Sequence, residues 1–300
     1  DIFYAKRDTI FNISLHNGLT RKWSYIATGR DYSVISHLHF DTTDGGLYCF
    51  GEFQPHIPEV FIQKIDPSTG RLIWNQALPQ FKEHYFATAS FFGQHIYSTW
   101  RVSNSGLADI GVAKLDKQSG TIAWAHRHRY IGNVPQEQTF DAICVTTGGV
   151  YLTGYYAVGQ GSWDWGAVKL DPLTGLKLFT TFITQGGNEY SPGSYGVGIY
   201  AFQNRILCVG NRVYRTHLLE ELAVNLDLNT GNILEEEKIG GYGQFNAQTL
   251  HLQELANGSF IAIQQLGKIP SIALLDEKGQ VTWRGLLPEE FDIKQVKVLA

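Results

Sequence analysis

KIDPSTGRLIW, residues 64–74, joins the end of one apolar strand to a turn closed by glycine and a second strand carrying a tryptophan. Asp66 has the side chain that accepts backbone N–H groups two residues on, and Gly70 takes the positive φ that closes a tight turn at no steric cost. The phrase recurs as KLDKQSGTIAW at 114–124 and KLDPLTGLKLF at 169–179. It weakens to NLDLNTGNILE at 225–235 and shortens to LLDEKGQVTW at 274–283. A degenerate first copy, ISLHNGLTRKW, stands at 13–23. Measured from Ser14 through Asp66, Asp116, Asp171, Asp227 and Asp276, the spacings are 52, 50, 55, 56 and 49 residues. Six copies at that period occupy all 300 residues, so residues 1–300 are expected to form one domain with no linker.

Each repeat reads as four strands. In the clearest copy these are AICVTT, VYLTGYY, GAVKLD and LKLFTTF, all short, β-branched or aromatic, and bounded by turn residues. An acid lies seven residues before the turn Asp in four copies: Glu59, Asp109, Asp164 and Glu220. Four strands per unit at this period predict an all-β, six-bladed β-propeller with four antiparallel strands per blade. The aromatic after each turn is expected to wedge between neighbouring blades. The first repeat supplies three strands, DIFYAK, TIFNISL and LTRKWSY, and the run DIKQVKVL at 292–299 is surplus. The C-terminal strand is therefore expected to join the N-terminal blade and close the ring, which also removes exposed edges.

The LDxxTGxxxW pattern, as at Asp66 to Trp74, resembles the repeat of quinoprotein-like (PQQ-like) propellers. The lead-in DIGVAKLD at 109–116 resembles the bacterial β-propeller repeat called SBBP. The resemblance covers essentially the whole chain. It implies a propeller fold and, through families that include surface proteins and assembly scaffolds, an exported protein, periplasmic or extracellular. Quinoprotein dehydrogenases share the repeat, and through them the resemblance implies calcium or PQQ as the alternative to a cofactor-free protein.

Composition narrows the function classes. The 24 basic and 28 acidic residues are spread along the chain without a basic stripe, which argues against nucleic acid. No apolar run is long enough to span a bilayer. The sequence has no Met, so its start is expected to follow a processing site or an internal boundary. The three cysteines, Cys49, Cys144 and Cys208, sit in apolar strands without a CxxC spacing and read as free thiols.

No nucleophile, phosphate-binding or metal-ligand motif is present, and no metal site is expected. Aligning the innermost strands gives a ring at a channel mouth: His37, Tyr85, Asp141, Tyr195, Gln248 and Lys294. The long connecting loops carry Tyr130, Tyr190 and Tyr242, and Trp163 is placed in a hairpin loop, a composition suited to recognition. The expected function is a monomeric, non-enzymatic propeller without a cofactor that binds a protein or glycan partner through one face. The alternative is an enzyme with its site at the channel mouth, a quinone-dependent dehydrogenase or a calcium-dependent hydrolase or lyase.

Overall fold

The computed structural model describes residues 2–6, 9–14, 20–27, 33–53, 59–78, 84–104, 107–128, 138–159, 162–183, 194–202, 204–213, 219–240, 247–255, 257–266 and 269–286. These residues are all strand, turn or connection, with no helix among them. The chain falls into two compact units, Asp1–Arg129 and Tyr130–Ala300.

The first unit holds three antiparallel meanders. They are β1 (Ile2–Lys6), β2 (Thr9–Ser14) and β3 (Thr20–Ile26); then β4 (Ser33–Asp41), β5 (Gly46–Phe53), β6 (Glu59–Ile65) and β7 (Leu72–Ala77); then β8 (His84–Phe92), β9 (His95–Asn104), β10 (Leu107–Asp116) and β11 (Ile122–His128). The second unit holds three more, of four strands each. They are β12 (Gln138–Thr146), β13 (Gly149–Gly159), β14 (Ser162–Leu170) and β15 (Lys177–Phe182); then β16 (Tyr195–Ala201), β17 (Arg205–Val213), β18 (Leu219–Asp227) and β19 (Ile233–Gly240); then β20 (Ala247–Glu254), β21 (Phe260–Leu266), β22 (Ile269–Leu275) and β23 (Val281–Leu286). The strands read from the sequence are therefore present, including the three-stranded first sheet. The run at 292–299 lies outside the described residues.

Within each unit, consecutive sheets pack face to face. Tyr48, Phe50, Ile62, Trp100 and Leu115 fill the space between the second and third sheets. Tyr151, Trp165, Ile199, Cys208 and Val224 do the same between the first two sheets of the second unit. Third strands are covered on both faces: in β6 every residue after Glu59 is buried, Gln63 and Lys64 included. Fourth strands lie at the edge, and β7 alternates between half-buried and exposed positions after two exposed residues. Cys49, Cys144 and Cys208 are free thiols, and burial pushes the Cys49 and Cys208 thiols far above their ordinary pKa.

The repeated turn does two jobs. Asp66, Asp116, Asp171, Asp227 and Asp276 each accept a backbone N–H from two or three residues on at 2.7–2.8 Å, and their closing glycines have φ between 72° and 86°. The same turn is the seat for the preceding sheet. Trp23 donates its indole N–H to Pro67 O at 2.9 Å, and Trp74 donates to Lys117 O at 3.1 Å. Their rings lie so close over Gly70 and Gly120 that a Cβ there would come within 2.8 Å; Phe179 lies over Gly231 at 2.6 Å. The residue two before the turn Asp reaches the same target: Lys64 Nζ donates to Lys117 O at 3.2 Å, and Lys169 Nζ to Leu228 O at 2.9 Å. Trp23, Trp74 and Phe179 do wedge against the next sheet's turn, where glycine is needed for close approach as well as for φ, whereas Trp283 is 53% exposed. The acid seven residues before the turn ties its own sheet together. Asp109 pairs with Arg127, Glu220 with Lys238 at 2.7 Å, and Asp164 with the Tyr156 hydroxyl.

Candidate functional site

The first strand of every four-stranded sheet carries a one-residue bulge at the same level. The register against the second strand slips between Ile35 and His37, Phe86 and Thr88, Phe140 and Ala142, Gly196 and Gly198, and Thr249 and His251. The bulged residues are Ser36, Ala87, Asp141, Val197 and Leu250. A bulged residue has no partner in the ladder and its side chain is re-aimed by the local kink. Asp141 alone among these five is ionisable.

Asp141 opens into a cavity of about 240 Å³ in the second unit, lined also by Tyr155, Ser194 and Tyr195. β12 supplies Asp141, β13 supplies Tyr155, and Ser194 with Tyr195 opens β16. β12 can come this close to β13 because Gly154 faces the bulge: a Cβ there would lie 2.0 Å from Thr139 O and 2.7 Å from Phe140 Cα. Behind the cavity Trp165 is fully buried, donating to Thr153 Oγ1 at 2.7 Å.

The Asp141 carboxyl is pushed up to about 6, because burial disfavours its charge; a hydrogen bond from Thr139 Oγ1 at 3.2 Å opposes the shift. By area Asp141 is exposed, yet the surface it shows faces the cavity and protein crowds it on the other sides, so desolvation governs its titration. Tyr195 is pushed up to about 12, first by burial and then by the charges of Glu221 and Asp141. It therefore stays a phenol, able to donate, across the physiological range. Tyr195, Asn211 and Glu221 lie directly opposite one another on three successive strands, the last two wholly buried.

Of the ring read from the sequence, Asp141 and Tyr195 come together on one cavity. Tyr85, Tyr195 and Gln248 share a register, two residues before their bulges; the matching positions in the other two sheets are Val34 and Thr139. His37 sits one residue after its bulge, half-buried, with its ring 5.9 Å from that of Phe50. The side chains of Tyr85 and Gln248, and all of Lys294, Tyr130, Tyr190 and Tyr242, lie outside the described residues. Trp163 belongs to β14, opposite Ala157, rather than to a hairpin loop, because the strand begins at Ser162. Tyr155 was not among the ring residues. Its signal was the recurring glycine of the second strand, in CFGEF, YLTGYY and LCVGN, since Tyr155 follows that glycine.

No protein-family model matches the chain, and no curated protein matches it. Solved structures do. A europium-containing methanol dehydrogenase aligns with 95% of this chain and 69% of its own at TM-score 0.57 and 10% identity. The β-propeller domain of Nup133 from Vanderwaltozyma polyspora aligns with 95% and 82% at TM-score 0.56 and 10% identity. The quinohemoprotein alcohol dehydrogenase ADHIIG of Pseudomonas putida HK5 aligns with 80% at TM-score 0.52 and 12% identity; the match spans 40% of that enzyme's length. The fold is thus that of the β-propellers, of the kind found in quinoprotein dehydrogenases.

Two expectations are corrected by these matches. A non-enzymatic propeller that captures a protein or glycan does not stand, because the similar structures are mainly enzymes, the dihydro-heme d1 dehydrogenase NirN among them. The expectation of no cofactor falls with it, since those enzymes are described as quinohemoprotein, europium-containing or bound to a heme. At this identity the likeness carries the fold, and activity is argued from the cavity. A calcium or lanthanide ion takes about six to eight oxygen ligands, several of them carboxylate. The described cavity wall offers one carboxylate, and among the described residues no group of three or more His, Cys, Asp or Glu converges. These residues do not fit such an ion, and no step below passes through a metal or a quinone. Among the described residues no helix is long and apolar enough to cross a membrane.

Proposed function

We propose that the chain is a propeller enzyme whose site is the Asp141 cavity, with Asp141 moving a proton to and from a small substrate. The reading rests on one observation: five sheets repeat the same bulge, and one of them fills it with a carboxyl whose pKa is raised to about 6. A carboxyl tuned toward neutrality is what proton transfer near pH 7 needs. Above pH 6 Asp141 is the base; after taking the substrate's proton it is the acid for the return step. Tyr195 stays protonated and supplies a donor beside it, while Tyr155 and Ser194 complete the wall. The cavity, at about 240 Å³, is below the size usual for drug-like ligands, so the substrate is small.

Around this site we place a single domain of six blades over residues 1–300, exported, its ring closed by the strand-like run at 292–299 pairing with β1. The three-stranded first sheet supports that closure. Loss of residues 291–300 should lower the melting temperature sharply, and an unchanged melting temperature would rule the closure out.

The activity is tested by screening small alcohols, amines and esters for turnover, with an artificial electron acceptor, with and without added PQQ and calcium. The wild type should show a pH limb near 6 in kcat/KM. Asp141→Asn should remove the limb and lower kcat by about 10²–10⁴-fold. A variant that turns over as the wild type does removes Asp141 from the chemistry.

A further inference from the structure

We infer that Asn257 is a site of spontaneous modification, at which the backbone nitrogen of Gly258 displaces the side-chain amide and water then leaves an aspartyl or isoaspartyl residue. The site is the hairpin tip between β20 and β21, and it does not depend on the Asp141 cavity. Of the described exposed asparagines, Asn75, Asn204, Asn229, Asn232 and Asn257, only Asn257 precedes a glycine. Closing a ring between a side-chain amide and the next backbone nitrogen is opposed by the side chain of the following residue, and glycine has none. Gly258 has a φ of 79°, and a Cβ placed on it would meet nothing within 4 Å, so the tip is open to water. Beneath the tip, Leu255 N–H donates to Ser259 O at 2.8 Å and Gly258 N–H donates to Leu255 O at 2.9 Å. The second bond must open before the Gly258 nitrogen attacks, and opening at an exposed hairpin tip costs little.

The Asn257 side-chain oxygen is held as the reaction needs it. Oδ1 accepts from the Ser259 N–H at 3.1 Å and from the Ser259 hydroxyl at 2.6 Å, one donor for each lone pair. When the Gly258 nitrogen bonds to Asn257 Cγ, the C=O electron pair moves onto Oδ1 and the nitrogen's proton passes to a solvent base. Two donors already aimed at that oxygen stabilise the charge as it forms, as an oxyanion hole does. Collapse of the tetrahedral centre restores the C=O and breaks the Cγ–Nδ2 bond, and the departing nitrogen takes a proton from water and leaves as ammonia. Water then opens the cyclic imide. Cleavage between Cγ and the Gly258 nitrogen leaves aspartyl; cleavage between the residue 257 backbone carbonyl carbon and that nitrogen leaves isoaspartyl. The balance is water in and ammonia out, with no change of oxidation state. Either product makes the net charge of −4 more negative by one unit. The isoaspartyl product also lengthens the backbone by a methylene, which pulls Ser259 out of register with Leu255.

The full-length protein is incubated at pH 8 and followed by peptide mass mapping, with isoaspartyl counted by enzymatic methylation. The peptide holding Asn257 should convert, while those holding Asn229 and Asn232, exposed but followed by Thr230 and Ile233, should stay intact. In the folded protein Ser259→Ala should slow conversion about tenfold, since it removes one of the two donors. Ser259→Thr keeps a hydroxyl at that position and should convert at close to the wild-type rate, which separates the donor from any disturbance of the turn. In urea, where no donor is held in place, wild type and Ser259→Ala should convert at the same rate. Three results each overturn the inference: Asn257 intact in the folded protein while the unfolded chain converts, Ser259→Ala converting as fast as wild type when folded, or Ser259→Ala equally slow in urea.

Discussion

Gly154→Ala tests whether the bulge is the device that sets Asp141. The added Cβ would sit 2.0 Å from Thr139 O and 2.7 Å from Phe140 Cα, both backbone atoms, so no side chain can swing aside. Ordinary carbon contacts begin near 3.4 Å, so β12 and β13 must part by roughly 1 Å or more at the bulge. Forcing a methyl into packed structure costs about 1–3 kcal/mol, and a backbone clash belongs at the upper end. For a chain of 300 residues that lowers the melting temperature by roughly 5 °C. The strand that moves carries Asp141, so its carboxyl should drop from about 6 toward its ordinary value as water reaches it, read by carbon-13 NMR titration. Two controls separate stability from site. Gly51→Ala meets Val34 O at 2.3 Å in the first unit and should lose stability without moving Asp141. Gly148→Ala meets nothing nearer than 3.8 Å and should change stability by less than about 0.5 kcal/mol. If Gly154→Ala melts like the wild type, or melts low while Asp141 still titrates near 6, the bulge does not govern the carboxyl.

Three further outcomes follow from the charges. Asp41→Ala strands the Lys117 ammonium, 3% exposed, without its carboxylate and should cost about 3–5 kcal/mol in denaturant unfolding, most of it regained by adding Lys117→Met; a loss under 1 kcal/mol would show the ammonium finds water. Asp66 is held at about 2 by the Ser68 hydroxyl and N–H and by Thr69, so its contribution is present above its unfolded value of about 3.9 and disappears as pH falls through 2; an NMR midpoint near 4 would contradict the turn geometry. Asp141 runs the other way: its raised folded value means that stability is full below about 3.9 and declines as pH rises through 6. Asp141→Asn should therefore melt above the wild type at pH 8 and lose that decline, and parallel pH profiles for the two proteins would refute it.

The turn phrase told most of the fold. Its Asp and Gly were readable because a turn needs particular residues at particular offsets, and its tryptophan because a large ring must be buried between sheets. The glycine's second duty, leaving room for the ring of the previous sheet, was hidden, since it joins residues such as Trp23 and Gly70 that lie far apart in sequence. The cavity was half legible. Asp141 and Tyr195 were found by aligning strands, but a bulge inserts one residue into the first strand without marking it, and so His37 was aligned three places from its proper register. The glycine across from the bulge was the mark to use. It stands at Gly51, Gly154 and Gly210, and counting from it would have placed Tyr155 beside the site.

Where that glycine is replaced, the packing shows why the bulge level is the same in every sheet. In the third sheet of the first unit the position is Trp100, and the glycine has moved to the next strand: a Cβ on Gly111 would lie 2.0 Å from the Trp100 ring. In the sheet before it Gly51 faces the Phe61 ring at 2.7 Å. In the second unit Trp165 reaches the next sheet, where Gly196 and Gly210 leave room for it at 2.3 and 2.9 Å. Each of these pairings sets one large aromatic from the second or third strand against a residue without a side chain. The bulged position tolerates different side chains: Ser36 is exposed, and Val197 packs partly buried against the core of its own sheet and the next. A carboxyl could be placed at 141 without rebuilding the core, and its cost is confined to desolvation, the same term that raises its pKa into the range where a proton can be exchanged.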